Sequence, residues 1–123
     1  MVISVEGELI PCEEYEDYEI GINEMMSLES VELWISETGS PDDFPCLAVL
    51  LNGDQAVLNI FYKDGSNYVS SGSGSFDEIV PFYDGRYEIH GNQIISKTEA
   101  VVAVMDFFNT KDRSYLIEWE RIS

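Results

Sequence analysis

His90 is the one histidine among 123 residues, so nucleophilic or metal-assisted chemistry that needs an imidazole has to pass through it. A zinc site of the usual kind needs partner His or suitably spaced Cys ligands. Cys12 and Cys46 lie in different segments without such spacing. A Ser-His-Asp triad would need the same imidazole, and the chain has no G-x-S-x-G elbow. Set in Ile89-His90-Gly91 beside a turn, His90 reads as a surface residue. Gly72-Ser73-Gly74 runs into Phe76-Asp77-Glu78, where a phosphate loop needs Lys-Ser/Thr or a third Gly opening a helix. Asp64-Gly65-Ser66-Asn67 lacks the sixth-position Gly and twelfth-position Glu of a calcium loop. Carboxylate pairs at Glu13/Glu14, Asp42/Asp43 and Asp77/Glu78 are so abundant that nearness alone does not argue acid–base catalysis. These residues lead us to expect a binding protein with no catalytic residues, no metal and no cofactor.

The charge is the unusual property. Twenty-four acids against six basic residues give −18, far beyond what solubility needs. Residues 1–62 hold fourteen of the acids and no Lys or Arg, and Lys63 is the first basic residue. Such a surface repels nucleic acid and anionic lipid and attracts basic protein surfaces. At 45% apolar and 12% aromatic residues the chain is too greasy for a disordered acidic tail. Its length fits one domain, 1–123, around one core. The opening residues lack a basic n-region, and no apolar run nears the ~20 residues that span a bilayer. We therefore expect a soluble cytoplasmic protein in which the two thiols are free, with a Cys12–Cys46 disulfide left open.

The elements around these residues can be read from period and turn chemistry. Apolar residues within 2–10 suggest an edge strand, and acid-rich 13–19 a solvated turn or contact arm. Ser27 looks like the N-cap of a helix over 28–38, with Leu28, Val31, Trp34 and Ile35 as its stripe and Gly39-Ser40-Pro41 as its stop. Asn52-Gly53 between apolar runs 46–51 and 55–62 marks a hairpin. Asp64-Gly65 precedes a short strand at 67–70, and the Ser/Gly run 70–75 reads as a flexible loop. A further hairpin turns at Asp84-Gly85, with Pro81 placing its first strand at an edge or a bulge. Ser96-Lys97-Thr98-Glu99 fits a capping box, opening a helix with Val101, Val104, Met105 and Phe108 on one stripe. A closing strand over 115–122 follows. The expected fold class is α+β: an antiparallel meander sheet with helices packed on one face, leaving the other face for a partner.

From Leu58-Asn59-Ile60-Phe61 through Asn67-Tyr68-Val69-Ser70 and the Gly/Ser loop, the pattern becomes familiar. It continues through Ile95-Ser96-Lys97-Thr98-Glu99, then Asp106-Phe107-Phe108-Asn109-Thr110-Lys111-Asp112-Arg113, and closes on Glu118-Trp119. Over about 46–122 the chain resembles the immunity proteins of bacterial polymorphic toxins, in particular the group that neutralises nucleobase-deaminase toxins. The segment 95–119 is the most specific part. Ser114 stands where proteins of this group often have Pro after the Arg. The resemblance implies a cytoplasmic protein that binds a cognate toxin with a basic cleft and blocks its active site. Phe107, Phe108 and Trp119 read as structural members of the motif.

Two other classes compete with that reading. A nucleic-acid mimic that sequesters another DNA- or RNA-binding protein needs acids in phosphate-like rows. A small-ligand domain needs a polar constellation that the sequence does not contain. For a protein partner, the candidate contacts are exposed polar and aromatic loop positions: Tyr68, Ser70, Ser71, Asp77, Glu78, Tyr83 and Asp84. Tyr15, Glu16 and Tyr18 form a second group. Direct nucleic-acid binding, membrane binding and small-molecule substrates are not expected.

Overall fold

A computed structural model describes residues 1–123. Its centre is a strictly antiparallel meander. Strands β3 (Ser30–Ser36), β4 (Cys46–Asn52), β5 (Gln55–Phe61) and β6 (Asn67–Ser70) pair in succession. The hairpin β1 (Val2–Val5) and β2 (Glu8–Pro11) joins through β1 to β3. A short strand β9 (Ile95–Ser96) pairs with β5, and β10 (Trp119–Arg121) closes the other edge against β6. The result is an eight-stranded sheet. A second, two-stranded sheet, the ribbon β7 (Ile79–Phe82) with β8 (Tyr87–His90), shares no strand pairing with it. Two helices, α1 (Tyr15–Met26) and α2 (Lys97–Thr110), complete an α+β fold.

Alternation along the strands decides what is buried. Val31, Leu33 and Ile35 on β3, Leu47, Val49 and Leu51 on β4, and Ala56, Leu58 and Ile60 on β5 share one face. They meet Tyr18, Ile22 and Met26 of α1 and Ala100, Ala103, Val104 and Phe107 of α2 in a single core. The expected packing of the helices on one face holds. The α2 capping box is complete: the Ser96 hydroxyl accepts from Glu99 N–H, and the Glu99 carboxylate accepts from Ser96 N–H. Phe107 is buried, and Phe108 and Trp119 pack at the margin of the core. Ser114 is buried and takes a polar part: its carbonyl accepts the Trp119 indole N–H at 2.9 Å and its hydroxyl accepts Leu116 N–H at 3.2 Å.

Four expectations need correction. The first helix is 15–26, so the acid-rich arm 13–19 lies largely inside it. Tyr18, Ile22 and Met26 fall on one stripe, while the acids occupy the solvent side. Ser27 is a C-cap whose hydroxyl donates to Glu24 O at 2.6 Å. Residues 30–36 form a strand in place of the expected helix, because Val31/Leu33/Ile35 alternate strictly with Ser30/Glu32/Trp34/Ser36. Segment 2–10 is no single edge strand. It turns at Glu6-Gly7, both at positive φ, and puts β1 inside the sheet. The closing strand is only 119–121, since the hydrogen bonds of Ser114 fold 114–118 into a turn.

The loop 70–75 is likewise not a flexible tether. Gly72 N–H donates to Asn92 O at 2.7 Å, and a Cβ on Gly72 would lie 1.8 Å from Ile94 O. Its small residues permit close backbone packing. Both cysteines are free, Cys12 buried and Cys46 half-buried. No helix is long and apolar enough to cross a membrane.

Candidate partner-binding surface

The sheet face opposite the helices is only half covered. Ribbon β7–β8 lies over it, burying Phe82 against Val57 and Val69 with Leu50, Val80 and Ile89 around them. Polar contacts fix the ribbon. Asn52 Nδ2 donates to Pro81 O at 3.3 Å, the Tyr87 hydroxyl donates to Glu32 Oε2, and the Tyr83 hydroxyl donates to Glu6 Oε1 at 3.1 Å. These carboxylates hold the phenol protons of Tyr83 and Tyr87 above their usual range.

The uncovered half carries an aromatic ridge. Trp34 is 41% exposed and stacks on Phe61, with ring centroids 5.8 Å apart and planes 21° from parallel. Grooves flank this pair. One, about 270 Å³, runs between the ridge and the 39–44 loop with exposed Phe44. The other, about 250 Å³, runs between the ridge and Tyr87 and Ile89 of the ribbon. Register explains the second groove. Trp34, Ala48 and Asn59 sit side by side on β3, β4 and β5, and the small Ala48 leaves a depression between its neighbours.

The ten residues expected to contact a partner are divided by this geometry. Asp77, Glu78, Tyr83 and Asp84 belong to the ribbon layer, at its two ends, roughly 16 Å apart across a four-residue strand. Both Tyr83 and Asp84 sit at positive φ in the turn. The Asp77 and Glu78 side chains are exposed and make no hydrogen bond or ion pair within the chain. Ser71 is half-buried, its N–H donating to Glu118 O. Ser70 is wholly buried in place of the expected exposed position, its hydroxyl accepting from Leu58 N–H and donating to Gln93 O. Tyr18 is also wholly buried, its hydroxyl donating to Val104 O at 2.6 Å between the helices. Tyr15 and Glu16 are exposed on α1, with Tyr15 edge-on to Phe108. Tyr68 packs on the helix side under Arg113, whose guanidinium lies 3.5 Å from the ring centroid.

Sequence reasoning missed Trp34, Phe61, Glu32 and Phe76. The signal for the first three was the period of two along 30–36 and 55–61, which puts them opposite the core face. Phe76 was visible as an apolar residue beside two acids in a polar loop.

No family model matches the sequence. The chain is 30% identical over 84 residues to the double-stranded DNA deaminase immunity protein of Burkholderia cenocepacia strain H111. That alignment takes in 64% of this chain and 67% of the relative. The chain belongs to the deaminase immunity protein family. Its role is therefore immunity, and the surfaces above are those that an immunity protein has available for a toxin. The acids of this family member accept several internal hydrogen bonds but are scarcely neutralised by basic side chains. One ion pair forms, between Lys111 and Glu37, against twenty-four acidic residues.

Proposed function

We propose that this protein binds a cognate deaminase toxin non-enzymatically in the cytoplasm, residues 1–123 acting as one binding domain, and occludes the toxin's substrate cleft. The observation that carries the reading is the acidic surplus left without basic partners in the chain, −18 with a single ion pair. The relative's name couples immunity to a deaminase of double-stranded DNA. An enzyme that takes up a polyanion needs a positive groove, and an acidic surface complements it. Asp77 and Glu78 are the best-placed acids for the cleft. They project from a loop anchored by backbone hydrogen bonds of Glu78 and Gly72, beside an exposed Phe76.

Alanine at Asp77 and Glu78 together tests this by toxin binding and by residual deaminase activity. If these carboxylates are desolvated against basic groups, the expected loss is about 2–5 kcal/mol of affinity. The same change at exposed Glu13 and Glu14 is expected to cost less than about 1 kcal/mol, as for screened rim charges. Equal losses at the two places would sink the occlusion model and favour a nucleic-acid mimic, which spends its charges uniformly.

A further inference from the structure

The groove between Trp34 and the ribbon has an unusual lining for an apolar depression. Its floor is Ala48, Leu50 and Val57, yet two acceptors stand at its sides. Glu32 Oε2 takes the Tyr87 hydroxyl, and Oε1 faces the Trp34 indole N–H at 3.4 Å, a long bond that leaves lone pairs free. Asn59 Nδ2 donates to Tyr68 O at 2.8 Å, which turns Oδ1 away with no donor in the chain. Neither groove beside Trp34 is lined by a Lys or Arg. An aromatic face, a carboxylate and an amide oxygen around an apolar floor match one side chain: a planar cation on an apolar stem.

We propose that this groove receives an arginine of the toxin, its guanidinium laid on the Trp34 indole and bonded to Glu32 and Asn59. The proposal rests on the toxin-binding reading above and names the chemistry that the open sheet face selects. Arginine suits it better than lysine, because a guanidinium stacks flat on an indole, forks to two acceptors and sheds water more readily. The chain shows the same packing internally, where Arg113 lies 3.5 Å over Tyr68. Net charge of −18 favours a cationic visitor from any direction. At this groove an aromatic face and acceptors converge with no Lys or Arg of the chain already in place, whereas the Tyr62/Tyr68 site with Asp112 is filled by Arg113.

The first experiment uses the protein alone. The capped tripeptides Gly-Arg-Gly, Gly-Lys-Gly and Gly-citrulline-Gly are titrated while the indole N–H resonances of Trp34 and Trp119 are followed by NMR. The arginine peptide is expected to move Trp34 and leave Trp119 in place, with the response weakened in Glu32→Gln. Equal movement with the citrulline or lysine peptide overturns the proposal, as does a Trp34 resonance that stays still. The second experiment measures toxin binding, where Trp34→Ala and Glu32→Gln should each weaken affinity about tenfold or more, as removal of one anchor does. In Glu32→Gln the amide oxygen can still accept from the Trp34 indole while the amide NH2 donates to the Tyr87 phenol oxygen, reversing that bond, so it stands in if Trp34→Ala does not fold. Full affinity in both variants, with loss in the Asp77/Glu78 double variant, overturns the arginine groove and leaves occlusion standing. Failure of the unmodified protein to inhibit the deaminase removes the reading on which the groove depends.

Discussion

The ring of Phe76 lies flat against the imidazole of His90, with centroids 4.1 Å apart and planes 7° from parallel. His90 Nδ1 also faces Phe76 O at 2.8 Å, and since a carbonyl only accepts, that nitrogen carries the proton. The lone histidine thus positions a phenylalanine that is still 62% exposed, directly before Asp77 and Glu78. A large exposed apolar side chain held in place, with charges beside it, has the character of an interface anchor.

Phe76→Ala should therefore separate binding from stability. Toxin affinity is expected to fall by about 2 kcal/mol, in the range of anchor residues. The midpoint of urea unfolding should move little, because so exposed a ring buries little apolar area. Calorimetric titration against the toxin and urea denaturation check the two halves. Unchanged affinity would place the contact surface elsewhere than the ribbon.

The two halves of the chain were unequally legible in the sequence. The hairpins at Asn52-Gly53 and Asp84-Gly85 and the capping box at Ser96 each have a local chemical cause, and all three form. The turn between β4 and β5 is Gly53-Asp54, one residue on from the expected pair, with Gly53 at φ 61. Between 13 and 38 two periods compete. Leu28, Val31, Trp34 and Ile35 fit a helix by spacing, but the β-branched Val31 and Ile35 and the clean alternation fit a strand, and pairing with β1 and β4 favours the strand. Ser70 and Tyr18 were misplaced because polar side chains can be buried when their bonds are met, and those partners come from distant parts of the chain. The Trp34 groove depends on register across three strands, which a single sequence does not display.

Gly72 gives a sharp test of the packed loop. Because a Cβ there would meet Ile94 O at 1.8 Å, a backbone atom that cannot swing aside, Gly72→Ala must displace the chain. A destabilisation of about 3 kcal/mol is expected, at the upper end of overpacking effects. Gly85→Ala offers a contrast: no atom lies within 4 Å of its Cβ position, and its strain comes only from φ 81. Chemical denaturation of the two variants should show the larger loss at Gly72. A negligible loss there would restore the loop as a flexible tether.

Alkaline pH should unfold the protein through its phenols. Burial, then the hydrogen bond to Asp112, pushes Tyr62 up to about 12, and burial drives Tyr18 up further. Both raised values mean that the folded state retains protons the unfolded state gives up near 10. Their contribution to stability is therefore complete below about pH 10 and declines as pH rises through the folded values. Tyrosinate absorbance is expected to show a late phase that coincides with loss of helix signal. Tyr18→Phe should remove part of that phase and cost about 1 kcal/mol at neutral pH, for its buried hydrogen bond to Val104 O. A single early titration of all phenols would contradict the burial.

Salt should act on this protein with opposite signs before and during binding. In the free protein, fourteen acids within 1–62 have no Lys or Arg of their own segment, and one ion pair forms in the whole chain. Folding concentrates that charge, so self-repulsion opposes the compact state. Raising NaCl from about 0.1 M to about 1 M shortens the Debye length from roughly 10 Å to roughly 3 Å. The melting temperature is therefore expected to rise with salt. Association with a basic cleft works through the same field, now attractive, and its screening should lower the on-rate by about tenfold or more while the off-rate changes little. Stopped-flow association and calorimetric melting over one salt series test both signs together. A rising melting temperature with a flat on-rate would mean that the acids shape the stability of the chain but do not steer its partner. Falling on-rates with an unmoved melting temperature would mean that the acids lie too far apart to repel one another in the fold.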